Sequence, residues 1–112
     1  LDCEAGVALS RFAISADADR DLDEILDYLN AIPERPALSV LSAIEKALFG
    51  IAEYPYRGAL QSELTRLAGV EVRSRLVQQY RIFYIVGGAL PEIVDVIHTA
   101  RDVAEIMARR LQ

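Results

Sequence analysis

The run Tyr80-Arg81-Ile82-Phe83-Tyr84-Ile85-Val86 constrains the fold of this chain more than any other segment. From Arg81 to Val86 it is densely apolar, and Gln78-Gln79 and Gly87-Gly88 on either side are plausible turns. Side chains of a strand alternate between the two faces of a sheet. A run that is apolar at both parities therefore needs cover on both sides. The expectation is a central strand with one face under helices.

The helices that could cover it come earlier in the chain. Ser15 is a good N-cap, and Asp17 and Asp19 follow where a helix dipole favours acids. Ala18, Leu22, Ile25, Leu26 and Leu29 recur at helical spacing, which predicts an amphipathic helix over about residues 16–30. Asp17, Asp21, Asp23, Glu24 and Asp27 form its other face, which reads as solvated. Ala31-Ile32-Pro33 breaks the pattern. A second stripe, Ala37, Leu41, Ile44, Leu48 and Ile51, predicts a helix that opens near Pro36 and ends near Tyr54, before Pro55. The two make a helical hairpin. Arg11 to Ser15 alternates around Phe12 and Ile14 and reads as a first strand.

Tyr56 to Gly69 shows no sustained period and is expected to be a surface loop, with room for a turn of helix around Ser62 to Leu67. Val70 to Val77 and Ile93 to Ile97 read as strands on either side of the central run, and Asp102 to Leu111 as a short closing helix. The predicted order is β-α-α-β-β-β-(α). That is an α+β fold, a helical hairpin packed on a small, mainly antiparallel sheet in two layers.

At 112 residues the chain is expected to form a single domain, with residues 1–10 an extension outside its core. The lone Cys3 cannot form an internal disulfide, and His98 is the only histidine, so no metal or other cofactor is expected. No apolar run reaches the roughly 18 residues that would suggest a membrane span, and no basic n-region opens the chain. The expected location is the cytoplasm. The net charge of −5 is unevenly spread: residues 1–30 carry eight acids against two arginines, whereas residues 56–112 carry six acids against eight arginines. Such polarity can orient a molecule on a partner. It falls short of the basic stripe of a dedicated nucleic-acid binder.

The order of elements is that of the RelE/ParE toxins, and the words of the sequence resemble theirs. Asp21 to Leu29 resembles their first helix, and Ala52-Glu53-Tyr54-Pro55-Tyr56-Arg57-Gly58 the exit of their second. Arg73-Ser74-Arg75 and Tyr80-Arg81-Ile82-Phe83-Tyr84 resemble successive strands, and Ile93 to Asp102 the last strand and its exit. The resemblance covers about residues 11 to 105. It implies the toxin of a type II toxin–antitoxin (plasmid stabilization) pair, and with it a cognate antitoxin whose C-terminal segment folds onto the apolar faces near the hairpin and sheet.

Two activities follow from the two branches of that superfamily. RelE-like members cleave messenger RNA on the ribosome. Such a reaction needs cations where charge builds on phosphate and a group that moves protons. Arg81 and Arg101 match arginines of those sites, and His98 is the further catalytic candidate. ParE-like members bind and block DNA gyrase, and the target-binding candidates are then Arg73, Arg75, Tyr80 and Tyr84. The wording leans to the ParE side. Val72 and Ser74 stand where RelE-like sites place a basic pair, and the late tyrosine of those sites falls near Met107. Arg73 and Arg75 should point to the opposite face unless the turn at Gln78-Gln79 shifts the register. The implied function is therefore inhibition of an essential target such as gyrase by binding. A ribosome-dependent endoribonuclease and a non-toxic, degenerate member are the alternatives.

Overall fold

The computed structural model describes residues 11–32, 37–100 and 103–110. The elements are β1 (Ala13–Ile14), α1 (Ala16–Asn30), α2 (Ala37–Glu53), β2 (Ala59–Leu60), α3 (Ser62–Ala68), β3 (Glu71–Val77), β4 (Tyr80–Val86), β5 (Glu92–His98) and α4 (Val103–Arg110). The strands form one sheet in the order β1-β5-β4-β3-β2. Only β1, beside β5, is parallel to its neighbour. The N-terminal extension, Pro33, Pro36, Arg101 and Asp102 lie outside the described residues.

The run Tyr80–Val86 is the middle strand, as its composition requires. Tyr80, Ile82, Tyr84 and Val86 face the hairpin and pack with Ile25 and Leu29 of α1 and Ile44, Leu48 and Ile51 of α2. Phe83 and Ile85 face the other way and pack with Leu64 of α3 and Met107 of α4. Each large side chain buried in this way stabilises the fold by about 1.5–3 kcal/mol. The expected two layers are thus extended: the far face of the sheet carries its own short helices. A strand apolar at both parities already demands that cover.

The tight turn at Gln78-Gln79 keeps β3 and β4 in unbroken register from Val77↔Tyr80 to Glu71↔Val86. Gln78 takes a positive φ of 54° there. Between β4 and β5 the register slips by one at Phe83/Tyr84, from Phe83↔Asp95 to Tyr84↔Ile93. Ser15 caps α1 as expected, accepting from the Ala18 N–H at 3.1 Å. Its hydroxyl also donates to the Val94 carbonyl at 3.1 Å, which ties the helix start to β5.

Two expectations are corrected. The segment after Tyr56 is not all loop. Ala59 and Leu60 pair with Ser74 and Arg73, and the turn of helix expected around Ser62 to Leu67 is there as the seven-residue α3. That helix ends at Gly69, whose φ of 75° is the left-handed cap that glycine favours. Both elements are too short to show a period. Asp21, on the face of α1 read as solvated, is in fact buried. Because β1 is only two residues long, no strand among the described residues pairs with the outer edge of β5 beyond it. Asp21 Oδ2 accepts from the Val96 N–H at 3.0 Å in place of one. Arg110 of α4 donates to Asp21 at 2.9 Å and also to the buried Asp95, so one guanidinium joins α4, α1 and β5.

Candidate functional site

The unbroken β3–β4 register decides how the candidate arginines are arranged. Arg73 and Arg75 share the face of Tyr84, toward the hairpin, while Arg81 projects with Ser74 from the opposite face. Arg81 Nη1 donates to Ser74 Oγ at 3.2 Å, and that oxygen also accepts from Gln61 Nε2 at 2.8 Å. Arg81 is therefore anchored on the α3/α4 side of the sheet.

Arg73 is committed to the loop that follows α2. It donates to the carbonyls of Tyr56 at 3.0 Å and Gly58 at 2.7 Å, and its Nε donates to Glu71 at 2.6 Å. Its guanidinium also lies 5.4 Å from the centroid of the Tyr56 ring. Tyr84 serves the same loop from below. Its hydroxyl donates to the Pro55 carbonyl at 2.9 Å and accepts from the Gly58 N–H at 3.1 Å, with the side chain fully buried. Burial pushes its phenol above the usual range, against smaller opposing effects from the Gly58 hydrogen bond and from Arg73 and Arg75. A hydroxyl so placed reaches a partner only if the loop lifts away.

Arg75 lies beside this loop and is exposed. It lines a cavity of about 280 Å³ with Arg57, Tyr54, Ile51, Gly58 and Tyr84. Arg57 stands over the Tyr54 ring at 4.3 Å from its centroid. In the sequence Arg57 and Gly58 stand in a helix-exit word, and nothing in that word marks them as functional. The concentration of arginine after residue 56 was the available signal.

His98 and Tyr80 face each other across β4 and β5, their rings at 5.2 Å and nearly perpendicular. Nδ1 of His98 accepts from the Ala100 N–H at 3.0 Å, which leaves Nε2 to donate to Gln79 Oε1 at 3.2 Å. The two rings line a cleft of about 350 Å³ under α1 with Asp21, Glu24 and Tyr28. Glu24 on that wall disfavours a phosphate, while the Asp21 carboxylate is already taken by Arg110 and the Val96 N–H. His98 thus opens on the hairpin side, and Arg81 on the other. Arg101 lies outside the described residues. Met107, near the position of the expected late tyrosine, is buried in the core. Among the described residues there is no group of three or more side chains able to hold a metal ion, and no helix long and apolar enough to cross a membrane.

A third concavity, about 330 Å³, opens between the two hairpin helices near β1 and is lined by Phe12, Ile14, Leu22, Leu26, Leu48 and Phe49 among others. Ile14 is 42% exposed and Phe49 48% exposed. It is the apolar groove that a helical partner segment could fill.

Fold and surface together define a small α+β protein with a helical hairpin on one face of a mainly antiparallel sheet. Residues 12–103 match the family described as ParE toxin of type II toxin-antitoxin system, parDE, and the chain belongs to that family. Among solved structures it is similar to a chain of the chromosomal ParDE TA system from P. aeruginosa, at 21% identity and a TM-score of 0.61, covering 80% of this chain and 98% of that one. No curated protein sequence matches it.

Proposed function

We propose that this chain is the toxin of a ParDE-type pair and that it acts by binding and inhibiting an essential target such as DNA gyrase, not by cutting RNA. The observation that carries this reading is the division of the arginines: Arg81 on one face of the sheet, Arg73 and Arg75 on the other. Phosphoryl chemistry needs cations and a proton-moving group aimed at one point. Here Arg81 is held by Ser74, while His98 opens into an acid-lined cleft on the hairpin side. What remains exposed is a surface suited to recognition. A ParDE-type system implies a cognate antitoxin, and the apolar groove between α1 and α2 suits an amphipathic segment of it.

The test sets two assays side by side. Purified protein is expected to inhibit supercoiling by DNA gyrase and to leave messenger RNA on translating ribosomes uncut, with the gyrase inhibition lost in the antitoxin complex. Ribosome-dependent cleavage without gyrase inhibition overturns the reading in favour of a nuclease. Blank results in both assays, with normal growth of cells expressing the chain, would mean a non-toxic member.

A further inference from the structure

We propose that the notch formed by Arg57, Arg75 and the Tyr54–Gly58 loop is a carboxylate-binding site that takes one aspartate or glutamate side chain of the antitoxin. The inference rests on the toxin–antitoxin reading, which supplies the partner. The notch itself is read from this chain's geometry.

Arg75 and Arg57 line one cavity of about 280 Å³, which has room for an aspartate or glutamate side chain together with several waters. Among the described residues neither guanidinium is matched by a carboxylate. Their neighbour Arg73 shows what the fold does with a cation that it uses internally: three oxygen partners and little exposure. Arg75 has the opposite character. Its head lies back along α2 against Gly50, where an added Cβ would come within 2.5 Å of Nη1. A glycine in the last turns of a helix costs helix stability, and here it leaves room for a guanidinium to lie at the mouth of the notch. Arg57 is held over the Tyr54 ring, so both forks are positioned before a ligand arrives.

Two arginine forks match the geometry of a carboxylate. A polyanion is the poorer fit. Glu53 ends α2 beside the notch, Glu71 is bonded to Arg73, and the chain carries a net charge of −5. A nucleic-acid backbone needs a longer track of cations than this.

The experiment measures the affinity of the antitoxin encoded beside this gene for the full chain and four variants, by calorimetry at fixed salt. Arg75→Gln and Arg57→Gln are each expected to raise Kd by about tenfold. Arg66→Gln, an exposed arginine paired with Glu63 on α3, is expected to leave Kd unchanged. Gly50→Ala keeps every charge but takes the space in which the Arg75 head lies. It is expected to weaken binding without lowering Tm, since alanine favours the helix, which separates the site from a folding defect. A Glu→Gln or Asp→Gln scan of the antitoxin should find one acid whose loss has no further effect on Arg75→Gln. If no complex forms with the unaltered chain, the toxin–antitoxin reading fails and takes this one with it. If the complex forms with equal affinity for Arg75→Gln and Arg57→Gln, or if Arg66→Gln weakens it as much, the notch is not the site and only this inference falls.

Discussion

Replacing Tyr84 with phenylalanine removes one oxygen from the centre of the molecule and keeps the ring. The ring is fully buried against both helices of the hairpin, so the packing of β4 survives. What goes is a donor to the Pro55 carbonyl at 2.9 Å and an acceptor for the Gly58 N–H at 3.1 Å. Each bond contributes about 1 kcal/mol net, and a backbone group left without a partner costs about 1–3 kcal/mol when fully buried. Pro55 and Gly58 are half-buried, so water recovers part of that. The expected loss is about 2 kcal/mol, or a fall in Tm of roughly 8–12 °C for a domain of this size. Differential scanning calorimetry at pH 7 reads it. Alkaline pH supplies a second, independent signature. The folded phenol's pKa lies above 10.0 because burial disfavours the anion. The hydroxyl's contribution is therefore complete below pH 10. Above it the unfolded chain ionises first, and the contribution is lost as pH rises toward the folded value. The stability gap between the parent and Tyr84→Phe should narrow above pH 10. A Tm within 2 °C of the parent's, or a gap that stays constant with pH, would refute the claim that this hydroxyl holds the loop over the sheet.

Three further substitutions probe the same frame by denaturant unfolding. Gly58→Ala drives a Cβ into the Tyr84 hydroxyl and to 2.8 Å from the Ser74 carbonyl. It should destabilise by about 2–4 kcal/mol, and the double variant with Tyr84→Phe should lose less than the sum of the two. Arg110→Gln leaves the buried Asp21 and Asp95 carboxylates without their shared cation, at an expected cost of about 3–5 kcal/mol; a cost under 1 kcal/mol would mean that α4 is not held by this arginine. Gln78→Gly relieves a side chain at φ 54° in the β3–β4 turn and should stabilise by about 0.5–1 kcal/mol. A loss of stability there would show that the glutamine side chain itself anchors the turn.

The larger elements were legible because each carries a period long enough to see. Fifteen residues of α1 and seventeen of α2 repeat their apolar stripes over several turns, and the double-sided run in β4 demanded a central place. Parity alone separated Arg73 and Arg75 from Arg81, and the two-residue turn kept it so. Two-residue β2 and seven-residue α3 have no period to read. Asp21 misled for a different reason. A carboxylate on the polar side of a helix looks solvated until the shortness of β1 exposes the N–H that it caps.

The fates of Arg73 and Arg75 mark where sequence stops being informative. They sit two apart on the same strand face, and nothing in their spacing distinguishes them. What separates them is what chain folding brings overhead. Arg73 meets the carbonyls of Tyr56 and Gly58, oxygens fifteen to seventeen residues away whose position depends on the turn after Pro55. Arg75 meets Gly50, which offers room and no partner. The first cation is spent in closing the loop, and that closure builds the rim against which the second one stands exposed. An Arg73→Gln variant should therefore weaken antitoxin binding indirectly, with a fall in Tm, whereas Arg75→Gln should weaken it at unchanged Tm. If the two behave alike in both measurements, the division between a structural and a recognising arginine does not hold.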